Sequence, residues 1–237
     1  MNFFILGDSW GVGEWIKKNG KYESIPNTGL DYHLTQLGHT VTNISSGSAG
    51  NFGQLRHAYW TLKEKSDYDY IIWFHVEPVR DLYETVINDP VDGPKQYPTI
   101  DKKNFISCIN YIHTQNYMYA QKIYDEFTIP FIVIGASGLV VDLINNFNFS
   151  KYIIKSWASE LLDTTQNTPL NLNSNWILTT LDHYSNFDRQ QVLTELEWSR
   201  SMEENMIANP SNFPDGAHPS REAFEKLAHR ILNLILI

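Results

Sequence analysis

Apolar residues in this chain occur in short blocks. Along the chain, blocks with the pattern of buried strands alternate with blocks that have the spacing of amphipathic helices. The run from Phe3 to Leu6 stands directly before a Gly-Asp-Ser turn and predicts a first buried strand. Further strands are predicted at His39–Ser45, Tyr68–His75, Ile129–Ala136 and Asn175–Leu181.

Helical spacing of apolar residues separates these strands. Leu30, Leu34 and Leu37 share one helical face before the second strand, and Leu55, Tyr59 and Leu62 do so before the third. Longer helical patterns cover 102–127, a segment around Ile153–Leu162, and the chain end, where Pro219 suits a first turn. This alternation predicts an α/β fold in which a parallel sheet of about five strands carries helices on both faces.

Length and composition bound the organisation of the chain. Its 237 residues suit a single domain, 1–237, and we find no repeat, linker or heptad run that argues for a second one. Two segments do not fit the alternation of strands and helices. The stretch 86–100 is rich in Pro and Gly and 138–175 includes an Asn-rich loop, so both are predicted to hold loop insertions.

Charge and residue usage exclude several classes of partner. The net charge is −9 and no stripe of Lys and Arg occurs, which argues against nucleic acid and anionic membranes as partners. No apolar run approaches the roughly 18 residues of a membrane helix, and no charged leader precedes the first strand, so we expect a cytoplasmic protein as synthesised. The histidines lack metal-ligand spacing, so no metal or organic cofactor is implied. The oligomeric state is left open.

Candidate chemistry stands at the two ends of the chain. Gly7-Asp8-Ser9 follows the first strand, and Asp215 and His218 stand three residues apart just before the last helix. A serine hydroxyl becomes a useful nucleophile when an imidazole takes its proton and a carboxylate orients that imidazole. Taken alone, Gly-Asp-Ser also suits a helix cap, and Gly7 to Gly11 matches the nucleophile-elbow spacing.

Together these motifs resemble the SGNH, or GDSL, hydrolase family. The resemblance runs from "ILGDSW" to the Asp-x-x-His-Pro block of Asp215 and His218, and it implies a flavodoxin-like α/β/α sandwich. It implies Ser9 as nucleophile, His218 as general base and Asp215 as its orienting carboxylate. It also implies an oxyanion hole formed by the backbone N–H groups of Ser9 and Gly50, with Gly47 as the second choice.

The chain departs from the family after the third predicted strand. The family has an Asn there whose side chain donates to the oxyanion, whereas this sequence has Glu77. An ionised carboxylate cannot donate a hydrogen bond. His75 and Arg80 are candidates for the missing donor or for pairing with Glu77. Asp8 and Trp10 are further expected neighbours of the site. Four aromatic residues are expected either to stack on a sugar ring or to pack in the core: Trp10, Trp15, Tyr83 and Tyr97.

The sequence therefore favours a serine ester hydrolase acting on a small-molecule or carbohydrate ester, for which the family resemblance suggests deacetylation or another acyl hydrolysis. The alternative is a non-catalytic carbohydrate-binding or phage virion-associated protein on the same fold. Glu77 and a residue usage typical of an AT-rich genome, such as that of a phage, motivate this alternative.

Overall fold

Five parallel strands form the central sheet. The computed structural model describes residues 1–47, 49–76, 81, 105–136, 140, 142–163 and 204–236. The strands of the sheet are β1 (Asn2–Leu6), β4 (Thr40–Asn43), β5 (Tyr70–His75), β6 (Phe131–Gly135) and β7 (Ser150–Ile154). They lie in the order β4-β1-β5-β6-β7. Numbered within the sheet alone, this is the order 2-1-3-4-5 of a flavodoxin-like sheet.

Six described helices and a two-stranded hairpin accompany the sheet. The helices are α1 (Ser9–Val12), α2 (Leu30–Gln36), α3 (Asn51–Glu64), α4 (Phe105–Phe127), α5 (Trp157–Leu162) and α6 (Arg221–Leu236), with a 3-10 turn at Asp142–Asn146. The hairpin strands are β2 (Trp15–Lys18) and β3 (Lys21–Ser24). No helix in the described ranges is both long and apolar enough to cross a bilayer.

Side chains of the central strands alternate between two hydrophobic cores. Ile72 and Phe74 of β5 belong to the core beneath α2 and α6, whereas Ile71 and Trp73 belong to the core beneath α3 and α4. Strands covered on both faces must be apolar throughout, which explains why β1, β5 and β6 appear in the sequence as continuous apolar runs. The expected three-layer α/β/α arrangement is confirmed.

The edge of the sheet differs from the prediction. Its fifth strand is β7, at Ser150–Ile154, and the helix that follows begins only at Trp157. The sequence pattern instead assigned Ile153 and Ile154 to a helix, which is wrong. The predicted strand Asn175–Leu181, the insertion 86–100 and parts of the insertion 138–175 lie outside the described residues, and the single domain stays a prediction.

The hairpin β2–β3 is an addition that the apolar pattern does not predict. Its strands pair antiparallel, with Lys18 opposite Lys21 across the turn. Asn19 and Gly20 form the turn with φ angles of 52° and 77°. An Asn-Gly turn with both φ angles positive is the preferred two-residue connection of a hairpin.

Candidate active site

Ser9 stands where the central strand β1 gives way to the short helix α1. Asp8 caps this helix, because its carboxylate accepts a hydrogen bond from the backbone N–H of Trp10 at 3.0 Å. Gly7 makes the turn possible: its φ is +155°, and a Cβ there would lie 2.5 Å from Cβ of Phe74. The turn holds the Ser9 hydroxyl at the carboxyl edge of the sheet, where ligands of this sheet type bind.

Two successive hydrogen bonds link Ser9 to His218, and His218 to Asp215, in the loop before α6. Nε2 of His218 lies 2.9 Å from Oγ of Ser9, and Nδ1 of His218 lies 2.6 Å from Oδ2 of Asp215. The fold thus joins residues separated by 209 positions in the sequence. Both distances are within the range needed for direct proton transfer or tight orientation of a ring.

The Asp215 carboxylate also organises the loop that carries His218. Its Oδ1 accepts hydrogen bonds from the backbone N–H of Ala217 at 2.9 Å and of His218 at 2.8 Å. Burial raises the pKa of Asp215, but the hydrogen bonds from His218 and Ala217 outweigh this and leave its pKa lowered. The carboxylate is therefore ionised at neutral pH, as a group must be to stabilise an imidazolium.

Aromatic residues of the hairpin enclose the imidazole of His218. The indole of Trp15 is stacked on it with ring centroids 5.2 Å apart, and Tyr22 meets it edge-on at 5.9 Å. The indole Nε1 of Trp15 also donates to the backbone oxygen of Ser9 at 2.9 Å. Trp15 therefore contacts both Ser9 and the imidazole of His218.

Gly50, the expected oxyanion donor, occupies the N-cap of α3 after the neighbouring strand β4. The next residue, Asn51, ties this helix start to the end of β5: its Oδ1 accepts from the N–H of Val76 at 2.9 Å, and its Nδ2 donates to Asp81 at 3.1 Å. Asp81 also accepts from the N–H of Phe52 at 2.9 Å. A buried polar network thus fixes the helix start that would hold the oxyanion donor.

Of the other predicted site neighbours in the described residues, Asp8 lies near the Ser9 hydroxyl, whereas Trp10 and His75 are buried away from it. Asp8 is buried, and its Oδ2 lies 3.5 Å from the Ser9 hydroxyl. Trp10 is buried against Phe213 and belongs to the core. His75 is also buried, on the opposite face of the sheet, and no contact with Ser9 or His218 is found for it in the described part of the chain.

Four residues with predicted roles lie outside the described residues: Glu77, Arg80, Tyr83 and Tyr97. No group of three or more His, Cys, Asp or Glu side chains within the described ranges is arranged to hold a metal ion.

Sequence reasoning misses the contacts of Trp15 and Tyr22 with His218 and the network of Asn51 and Asp81. The Asn19-Gly20 pair between two polar and aromatic stretches is a hairpin signal that would have placed the first two on one element. No sequence signal connects Asn51 with Asp81, since their contact depends on the packing of α3 beside β5.

Comparisons with known proteins give structural likeness at low identity. No protein-family model and no curated protein sequence matches the chain. It is similar to the psychrotrophic esterase EstA from Pseudoalteromonas sp., with 12% identity, 99% of this chain and 96% of that chain covered, and a TM-score of 0.46. It is similar to TesA, with 11% identity, coverage of 99% and 98%, and a TM-score of 0.46.

A lipase/acylhydrolase from Enterococcus faecalis is also similar, with 16% identity, coverage of 99% and 95%, and a TM-score of 0.41. One fold hosts many activities, so the function of this chain rests on the side chains of its site.

Proposed function

We propose that this chain is a serine ester hydrolase that works through an acyl-enzyme. The observation that carries the proposal is the pair of hydrogen bonds from Ser9 to His218, at 2.9 Å, and from His218 to Asp215, at 2.6 Å. A nucleophile, a base in reach of its proton, and a carboxylate that orients the base are the three parts that acyl transfer requires. The SGNH resemblance of the motifs around Ser9 and His218 supports the same reading.

The proposed reaction has two halves. The Ser9 oxygen attacks the ester carbonyl carbon as its proton passes to Nε2 of His218, and the carbonyl π electrons move to the oxygen. The tetrahedral intermediate collapses, the bond to the alcohol oxygen breaks, and Nε2 gives that oxygen its proton. Water then attacks the Ser9 acyl ester with His218 again as base, which releases the acid and restores the hydroxyl.

The negative oxygen of each intermediate needs donors. We assign this role to the backbone N–H groups of Ser9, at the start of α1, and Gly50, at the start of α3, because these helices follow the adjacent strands β1 and β4. Losing one donor of this kind typically costs about a hundredfold or more in rate. The assignment of Glu77 to the position of the family's third donor stays a prediction.

Covalent labelling tests the proposal directly. A fluorophosphonate probe should label Ser9 in the full chain, and the labelled peptide should be mapped by mass spectrometry. His218→Ala should lower the labelling rate at least about a hundredfold, since the hydroxyl loses its base. His229→Ala, which removes an exposed histidine from α6, is the matched control and should label at the unaltered rate.

Hydrolysis of p-nitrophenyl acetate separates the enzyme from the alternative of a non-catalytic binding protein. The unaltered chain should release nitrophenol faster than its Ser9→Ala variant. Equal rates, or labelling at another serine, would overturn the assignment and favour a binding role on this fold.

A further inference from the structure

The hairpin β2–β3 turns one of its two faces towards the active site. Cross-strand partners of a hairpin point to the same side, so the pairs Trp15–Ser24 and Lys17–Tyr22 share one face. Trp15 and Tyr22 both contact the imidazole of His218. This face, which we call the hairpin wall (Trp15, Lys17, Tyr22), therefore borders the imidazole.

The hairpin is anchored beside the loop that carries His218. At its base, the N–H of Ile25 donates to the backbone oxygen of Glu14 at 2.8 Å. The side chain of Glu14 in turn accepts from the N–H of Arg221, at 2.5 Å, where α6 begins. The hairpin wall is thus held in place by its own base and by the helix that follows His218.

Two aromatic rings and one ammonium group make up the chemistry of the hairpin wall. Lys17 is exposed, and its Nζ lies 5.5 Å from the centroid of the Tyr22 ring. Within the described ranges Lys17 forms no ion pair. Tyr22 is 46% exposed. A free positive charge next to open aromatic surface is notable in a chain whose net charge is −9.

The position of the hairpin wall decides which part of a substrate it meets. In the proposed reaction Nε2 of His218 gives its proton to the oxygen of the leaving alcohol, so that oxygen must come within about 3 Å of Nε2. Groups that flank the imidazole therefore flank the alcohol portion of the ester. An exposed wall with a lysine suits a hydrated, charged ring better than a lipid chain, which needs buried apolar surface.

We propose that the hairpin wall binds the alcohol part of the substrate and that this alcohol is an acidic sugar. Tyr22 offers its open ring to the C–H face of the sugar, and Lys17 pairs with a carboxylate on the same ring. This inference rests on the proposed function for its catalytic meaning. It deepens that function from an ester to an ester of a uronic acid or a similarly charged sugar.

Binding of the deacylated sugar tests the wall without relying on catalysis. Calorimetric titration of the full chain with trigalacturonate should show saturable binding that weakens as NaCl is raised, whereas the neutral trisaccharide maltotriose should bind more weakly. Lys17→Met should weaken trigalacturonate binding about fivefold, the upper range for an exposed charge pair. Tyr22→Leu should also weaken it.

Lys18→Met is the matched control, because Lys18 carries the same charge on the opposite face of the same strand. Its affinity should equal that of the unaltered chain. Absence of trigalacturonate binding, equal binding of maltotriose, or equal losses in the Lys17 and Lys18 variants would overturn the inference. Failure of the proposed function itself would be seen separately, as absence of Ser9 labelling.

Kinetics provide a second readout if Ser9 is labelled. O-acetylated trigalacturonate should be hydrolysed with a higher kcat/KM than O-acetylated maltotriose, and Lys17→Met should reduce this preference about fivefold, mainly through KM. Lys18→Met, on the opposite face of the same strand, should leave both this preference and the hydrolysis of p-nitrophenyl acetate unaltered. A preference that survives in Lys17→Met would contradict the role of Lys17.

Discussion

A buried pair of histidines should make the stability of this fold depend on pH. The rings of His75 and His113 are stacked, with centroids 5.4 Å apart and planes within 9°. Both side chains are buried, and in the described part of the chain both ring nitrogens of His75 and Nδ1 of His113 have no hydrogen-bond partner. Burial lowers the pKa of both, and that of His113 to about 4.

The direction of this pH dependence follows from the number of protons that the folded and unfolded chains bind. A histidine in the unfolded chain has a pKa of about 6.5, so between pH 6.5 and 4 the unfolded state binds more protons. The contribution of the two histidines to the free energy of unfolding is fully present above pH 6.5 and is lost as the pH falls towards 4. For His113, with a folded pKa of about 4, the free energy of unfolding should drop by about 2–3 kcal/mol between pH 7.5 and 4.5.

Urea unfolding at pH 7.5, 6.5, 5.5 and 4.5 measures this loss. His113→Phe keeps an aromatic ring in the stack but cannot bind a proton, so its free energy of unfolding should fall by about 2–3 kcal/mol less over this range. His57→Gln, which removes an exposed histidine from α3, is the control and should follow the unaltered chain. Burial also lowers the pKa of His33 and His39. Both residues are present in the unaltered chain and in the two variants, so they do not affect the comparison. An identical pH slope in His113→Phe would refute the reasoning.

Three further predictions concern the site. Asp215→Asn should slow fluorophosphonate labelling of Ser9 at least about a hundredfold while the chain stays folded by circular dichroism, because the imidazole loses the carboxylate that orients it and balances its charge. Trp15→Phe should slow labelling less than Trp15→Leu does, since a ring stays stacked on His218; equal rates in the two variants would contradict a role for stacking. Gly7→Ala should cost about 2–4 kcal/mol in thermal or urea unfolding, because its Cβ meets Phe74 at 2.5 Å in a left-handed conformation, and an unchanged melting temperature would rule out that clash.

The central strands could be predicted because burial on both faces forces continuous apolar runs. Phe3 to Leu6 and Ile71 to Phe74 are fully buried, and their patterns are unambiguous. The strand β7 lies at the edge of the sheet and is buried only at Ile154, so its apolar residues merge with those of the helix behind it. Ser156 caps that helix, with its hydroxyl accepting from the N–H of Ser159 at 3.2 Å, and marks the boundary that apolar spacing alone does not show.

The predicted pairing of Ser9 with Asp215 and His218 rested on the chemistry of a serine nucleophile, on the Asp-x-x-His spacing and on the resemblance to the SGNH family. Each segment is held by local hydrogen bonds between residues close in the sequence. Asp8 caps the start of α1, and the Asp215 carboxylate accepts from two N–H groups of its own loop. Topology then joins the segments, because β1 lies inside the sheet and α6 packs back towards it. Nothing local reveals the position of His75, since only packing against α4 places its ring beside His113.

The substrate class that we propose is harder to predict from sequence than the proposed reaction, for a reason that the residues of the hairpin wall illustrate. The groups that transfer a proton must meet within hydrogen-bond distance, so they are held by buried turns and caps that leave clear residue patterns. A wall that binds a hydrated sugar must stay exposed, so its strands lack the apolar period that identifies strands in a sequence. Lys17 and Tyr22 differ from other exposed residues only through their pairing and through the contact of Tyr22 with His218. The specificity that we propose for this site therefore depends on the position of the hairpin beside the imidazole, and comparison of Lys17→Met with Lys18→Met tests it on two residues that composition alone cannot distinguish.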